Sequence, residues 1–308
     1  MGKVAFVFPG QGSQKVGMGK DAHDASDVAR AAFEAADRAL GESLSGLCFE
    51  GPEDALKLTA NTQPAIVTVS IALLRALDAP FDVVAGHSLG EYSAHVAAGT
   101  FSFEDAVRLV RKRGTYMQEA VPVGEGAMAA ILKAENALVE EVCRETEGVV
   151  EAVNYNGPGQ IVIAGAAGPV KVACDALKAK GARPMPLPVS APFHSSLMRP
   201  AEERLAPDLA AVSFRDPSVP VYVNVDAEPV GEAARARDAL VRQVSRAVKW
   251  EQSVLRMVDD GVTLFVEVGP GKVLTGLVGR ITDRAKAISV QGPADFEAAR
   301  QAIADARG

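Results

Sequence analysis

Asp82-Val83-Val84-Ala85-Gly86-His87-Ser88-Leu89-Gly90 is the stretch on which the fold turns. Asp82–Ala85 reads as a short buried strand, and an amphipathic helix is expected over Glu91–Ala98. Between them, G-x-S-x-G sets a serine on a tight strand-to-helix bend where a side chain at either glycine would strike backbone. Such a bend lifts the hydroxyl above the end of a sheet. It also leaves backbone N–H groups, beginning with that of Leu89, free to meet a developing oxyanion. The plainer alternative is a serine that caps a helix in a glycine-rich turn.

Outward from this bend, apolar β-branched runs alternate with alanine-rich amphipathic stretches, the pattern of an α/β fold. Strands are expected at Val4–Phe8, Val219–Val225 and Leu264–Val268. Helices are expected at Asp27–Leu40, Pro64–Leu77, Phe103–Ala120, Arg235–Ala247 and Glu251–Asp259. The middle differs. Ala127–Leu132, Val149–Asn156, Gln160–Gly165 and Arg183–Val189 read as strands, with helices at Ala134–Thr146 and Pro169–Lys180. The order βαββαβ is that of a ferredoxin-like unit. We therefore expect a small domain, 125–190, inserted into a large one made of 1–124 and 191–308, with a ligand cleft between them.

A length of 308 residues suits two domains. Lysine and arginine number 32 against 39 acids, a net charge of −7, which argues against nucleic acid or an anionic membrane as a partner. Cys48, Cys143 and Cys174 are an odd three, far apart, so neither a disulfide framework nor a thiolate metal site is expected. The apolar run before Pro9 is too short for a signal-peptide core, and Ala65–Leu77 is broken by Thr68, Ser70 and Arg75. The expectation is a soluble cytoplasmic protein.

A serine nucleophile needs a base, and there are four histidines. His23 lies in a polar, acidic stretch and is expected in solvent; His87 diverges from the serine on the bend; His95 lies two turns along the helix and is expected to pack. His194, in a proline-bounded loop just past the small domain, is left by elimination, against the alternative of a structural or exposed loop histidine. No acid between serine and histidine sits in a distinctive turn, so a backbone carbonyl can orient the ring instead.

The glycine-rich loop after the first strand lacks the Lys-Ser/Thr of a phosphate loop and the third glycine of a dinucleotide fingerprint. It does offer Gln11, whose amide can donate to an oxyanion, or else it is an ordinary strand-to-helix turn. On the helix from Phe103, at about 100° per residue, Arg108 and Lys112 face solvent while Arg113 falls on the edge of the apolar face between Val110 and Met117. A guanidinium there needs a partner: an internal carboxylate, or the carboxylate of a ligand.

Seven blocks in order resemble the malonyl-CoA:acyl carrier protein transacylase family. They are FPGQGSQ at 8–14, NTQPA at 61–65, GHSLGEYSA at 86–94, KRGTYMQEA at 112–120, NGPGQIVIAG at 156–165, SAPFHSSLM at 190–198 and EVGPGKVLTGL at 267–277. The resemblance spans nearly the whole chain and implies an α/β-hydrolase-like large domain with the ferredoxin-like insert. It implies Ser88 as the acylated nucleophile, His194 as its base and later acid, and Arg113 as the holder of the malonyl carboxylate, with Met117 lining the pocket. Gln11 and the Leu89 N–H would form the oxyanion hole, with Gln63 in support. A main-chain carbonyl at Gln243 would orient the histidine, although Arg246 departs from the family pattern nearby. Phe193 and Leu89 are similar to malonyl-type members. The implied substrates are malonyl-CoA and an acyl carrier protein, with no cofactor, in fatty-acid or polyketide synthesis, and the family is often monomeric. Carrier docking would need a local basic patch, for which Arg111, Lys112, Lys178, Lys180 and Arg183 are candidates. A serine esterase or thioesterase, with water as acceptor, would share Ser88 and His194 but not need Arg113; a non-catalytic scaffold would need none of them.

Overall fold

The computed structural model describes residues 2–189 and 191–308; Ser190, at the end of the expected small domain, lies outside them. The fold is α/β with two sheets. The larger contains β1 (Lys3–Phe8), β2 (Val83–Gly86), β7 (Val221–Val223), β8 (Glu228–Val230), β9 (Val262–Val268) and β10 (Lys286–Val290), in the order β10-β9-β1-β2-β7-β8. All neighbours are parallel except β7 and β8. A parallel strand is covered by helices on both faces, which is why β1 is apolar at every position from Val4 to Phe8. Successive side chains point to opposite faces. Val4, Phe6 and Phe8 pack with Phe33, Ile66 and Val110 on one side. Ala5 and Val7 pack with Trp250, Val254 and Leu274 on the other.

The smaller sheet holds β3 (Gly126–Leu132), β4 (Val150–Gly157), β5 (Gln160–Ala166) and β6 (Arg183–Pro186) in the order β4-β5-β3-β6, antiparallel throughout. Helices Asn136–Glu145 and Ala167–Ala179 close one face over a separate core of Ile131, Val139, Ile161, Ile163 and Leu177. Its other face, through Met128 and Val162, packs against Phe193. Two backbone bonds sew it to the larger unit: Tyr155 N–H to Val248 O at 2.9 Å and Val248 N–H to Val153 O at 2.8 Å.

Several elements differ from the sequence reading. β6 stops at Pro186 instead of running to Val189: Leu187 N–H still donates to Met128 O at 2.9 Å, but Pro188 has no N–H and the N–H of Val189 turns back to Leu187 O at 2.8 Å. The expected strand Val219–Val225 shrinks to three residues, since Asn224 turns to bond the bend below β2. The helix expected from Pro64 begins a turn earlier, at Thr59, and the one expected to reach Ala247 ends at Gln243. The sequence pattern marks neither β8 and β10 nor the helices Arg199–Ala211, Val273–Ile281 and Phe296–Arg307.

In an open α/β sheet a ligand sits beyond the carboxyl ends of the strands where the connections diverge. Here the loops leaving β1 and β2 meet at that edge, and the returning loop with His194 faces them.

Candidate active site

The bend after β2 depends on its glycines. A Cβ on Gly86 would lie 1.9 Å from the carbonyl carbon of Gly90, and one on Gly90 would lie 2.0 Å from Phe8 O. Ser88 takes φ 51, a left-handed conformation that non-glycine residues rarely hold. Asn224 fixes it: its Oδ1 accepts the Ser88 N–H at 2.7 Å and its Nδ2 donates to Gly86 O at 2.7 Å. With the serine's own N–H thus used, the N–H of Leu89 has no acceptor among the described residues, where it opens the helix Gly90–Ala97.

Ser88 Oγ lies 2.6 Å from His194 Nε2. The other ring nitrogen, Nδ1, lies 2.8 Å from Gln243 O. A carbonyl only accepts, so Nδ1 carries the proton and Nε2 presents its lone pair to the serine hydroxyl. Burial, and then the positive charge of Arg113, hold the imidazole well below the ordinary histidine range, at about 3. The ring is therefore a neutral base at physiological pH. Its backbone is also left-handed, φ 66.

Arg113 is fully buried. Its Nη1 donates to Gln63 Oε1 at 2.9 Å, and its Nη2 donates to Gln243 Oε1 at 2.9 Å and to Ser88 Oγ at 3.1 Å. Its guanidinium lies over the Tyr92 ring, 5.6 Å from the centroid, and its Nε has no partner. The internal ion pair that would have made it structural is absent among the described residues; amide oxygens hold the cation instead. A buried guanidinium whose direct hydrogen bonds all go to neutral groups has capacity for an anion. Gly114 sets its height: a Cβ there would lie 2.6 Å from Thr59 O, so helices Thr59–Leu77 and Phe103–Glu119 cross backbone to backbone and bring Gln63 beside Arg113.

Gln11, Gln63, Ser88, Leu89, Arg113, Met117, Phe193 and His194 line one cavity of about 520 Å³, with Met128, Asn154 and Val189 from the smaller sheet and the strap that follows it. Gln243 stands behind this wall, reaching His194 through its carbonyl. The side-chain amide of Gln11 is turned to Thr59 Oγ1, at 3.3 Å. Gln63 Nε2 reaches the sulfur of Met117 at 3.9 Å.

Of the other histidines, His87 bonds Asn156 Oδ1 at 2.8 Å, away from the serine, and His95 is buried against Thr100. His23 is not simply in solvent: it packs edge-on to Phe33 and Phe49. Sequence reasoning missed Asn224, Glu91 and the side chain of Gln243. Asn224 fell inside the expected strand Val219–Val225, which hid it, and Glu91 looked like an ordinary first-turn helix acid. No group of His, Cys, Asp and Glu suited to a metal occurs among the described residues, and no described helix is long and apolar enough to cross a membrane.

The acyl transferase domain family matches residues 5–292. The chain is 50% identical over 307 residues to the malonyl CoA-acyl carrier protein transacylase of Escherichia coli, covering 97% of this chain and 99% of that one. The acyl-carrier-protein S-malonyltransferase of Bartonella henselae superposes with a TM-score of 0.96 at 46% identity, over 99% of this chain and 100% of that one. A malonyl-transacylase solved in complex with its type II PKS acyl-carrier protein gives 0.95 at 43% identity, over 97% and 99%.

Proposed function

The chain belongs to the acyl transferase domain family, and from that premise we propose that it moves malonyl from coenzyme A to the phosphopantetheine thiol of an acyl carrier protein through an ester on Ser88. The observation that carries this reading is the position of the Ser88 hydroxyl, 2.6 Å from a neutral imidazole and 3.1 Å from a guanidinium that lacks a carboxylate partner. A hydrolase of neutral esters has no need of that cation.

In the first half-reaction Ser88 Oγ attacks the thioester carbon as its proton passes to His194 Nε2. The Gln243 carbonyl, bonded to Nδ1–H, stabilises the imidazolium that forms. The carbonyl oxygen of the substrate becomes an oxyanion beside the Leu89 N–H, with Gln11 as the second donor; one such donor is worth about 10²–10³ in rate. When the C–S bond breaks, His194 returns the proton to the departing thiol. The second half-reaction reverses these steps with the carrier's thiol as nucleophile. Arg113 clamps the free carboxylate throughout, with Gln63 orienting its fork and Met117 and Phe193 bounding the acyl chain.

We extend the proposal to organisation: an α/β-hydrolase-like domain of 1–124 and 191–308 around a ferredoxin-like insert of 125–190, working in the cytoplasm. The strand order β4-β5-β3-β6 supports the insert, and the mainly parallel larger sheet supports the host domain. The test is a chase. Malonyl-enzyme freed of coenzyme A is given holo acyl carrier protein, and carrier-bound malonyl is weighed against free malonate. Transfer supports the reading; free malonate alone would assign the site to a thioesterase.

A further inference from the structure

Behind the serine lies a buried acid for which acyl transfer, as described, has no use. Glu91 is fully buried in the first turn of helix Gly90–Ala97. Its Oε2 accepts from the Asn224 N–H at 2.8 Å and from Gln243 Nε2 at 2.9 Å. The other end of that same amide, Gln243 Oε1, accepts from Arg113 Nη2 at 2.9 Å. One amide thus bridges a buried acid and the buried cation. The remaining oxygen, Oε1, has no hydrogen bond; it faces His95 Nε2, equally buried and unbonded, across 4.0 Å. The two orphaned atoms stand beyond hydrogen-bond reach of each other, so Oε1 is the carboxyl oxygen left free to carry a proton.

A malonyl group on Ser88 would bring a second carboxylate to Arg113. Two ionised acids and one guanidinium leave a net charge in a dry site, which is costly, and nearby like charges oppose each other's ionisation. An acetyl group brings no such charge. We propose that Glu91 is a charge-compensating positioning residue that takes up a proton on Oε1, toward His95, when a carboxylated acyl group occupies Arg113, and gives it up when that group leaves. Preference for carboxylated over neutral acyl groups is then set by Glu91 together with Arg113. This deepens the reading of Arg113 as the carboxylate clamp and rests on it.

The charged and titratable groups around Glu91 are Arg113 on helix Phe103–Glu119, Tyr92 and His95 on its own helix, Asp226 in the turn between β7 and β8, and His194 beyond Gln243. Burial raises its carboxyl to about 7, against the hydrogen bonds of Gln243 and Asn224 and the pull of Arg113. His95 is held neutral by burial, at about 3, and so offers a lone pair.

Acylation of Ser88 by itself conserves protons, because the hydroxyl proton leaves on the coenzyme A thiol as the C–S bond breaks and the ester forms. Net uptake therefore reports the protein. The full chain is mixed with malonyl-CoA in weakly buffered indicator dye, with acetyl-CoA as the control that releases the same thiol, and acylation is counted by mass. The malonyl reaction is expected to take up roughly half a proton per acylated serine more than the acetyl reaction at pH 7, approaching one at pH 8. Correspondingly, the malonyl-to-acetyl ratio of kcat/KM should fall about fivefold from pH 7 to pH 8. Glu91→Gln should abolish both the excess uptake and the slope. Malonylation of Ser88 with no excess uptake in the wild type overturns the inference, whether or not the variant folds; so does uptake that persists in Glu91→Gln. No malonyl adduct at all would instead overturn the function proposed above.

Discussion

Ser88 and His194 meet at 2.6 Å while both hold left-handed backbone, φ 51 and φ 66. Each such residue costs on the order of 1–3 kcal/mol, and surrounding structure must hold it there. Asn224 does so for the serine; for the histidine, the Gln243 carbonyl grips the ring. The reactive pair is assembled from positions 106 residues apart, each strained locally and held by a long-range bond.

Removing the base should separate binding from chemistry. His194→Ala is expected to slow malonylation of Ser88 by about 10²–10⁴, with little change in substrate affinity. Rapid-quench mass measurement of adduct formation checks it, and a loss under tenfold would speak against general-base action.

Arg113→Ala should lower kcat/KM for malonyl-CoA by about 10²–10³, as expected for losing a buried charge-assisted pair with a carboxylate, while acetyl-CoA is used as well as before or better. Arg113→Lys should recover only part of the loss, since an ammonium cannot reproduce the planar fork shared by Gln63 and Gln243. Steady-state kinetics with the two thioesters decide; parallel losses for both would remove the clamp.

The bend predicts opposite outcomes for two glycines. Gly90→Ala puts a methyl 2.0 Å from Phe8 O and should destabilise by about 3 kcal/mol or more. Gly279→Ala, at an exposed position of helix Val273–Ile281 with nothing within 4 Å of the new Cβ, should stabilise by about 0.5–1 kcal/mol. Urea unfolding of both variants checks the pair, and a neutral Gly90→Ala would mean that the bend relaxes.

Acid should weaken the fold through its buried imidazoles. His194 and His95 bind protons in the unfolded chain from about 6.5 but in the folded one only near 3. Their contribution is therefore complete above pH 6.5 and is lost as pH falls toward 3. Glu91 works the other way: raised from 4.5 to about 7, its contribution is complete below 4.5 and is lost as pH rises through 7. Glu91→Gln should therefore make the urea midpoint fall more steeply between pH 7 and pH 5. An unchanged slope would mean that Glu91 keeps its ordinary carboxylate behaviour.

Much of this was legible in the chain itself because local rules and tertiary needs agreed. G-x-S-x-G after a β-branched run has few other uses, and Arg113 stood out as a charge on an apolar helix edge. The carbonyl of Gln243 followed from the resemblance alone. Glu91 and Asn224 were not legible: their roles lie in hydrogen bonds to residues more than 130 positions away, which no periodicity encodes. The small strands β8 and β10 were missed for a similar reason. β8 is three residues with one buried, and β10 carries its apolar residues on a half-covered edge, so neither presents the buried run that marks β1.

The most direct measurement is the intact mass of the protein after a short incubation with malonyl-CoA, followed by peptide mapping. One malonyl group should appear on the peptide bearing Ser88, form far more slowly in His194→Ala, and be missing in Ser88→Ala. A malonyl adduct that persists in Ser88→Ala, or none in the wild type, would contradict the account.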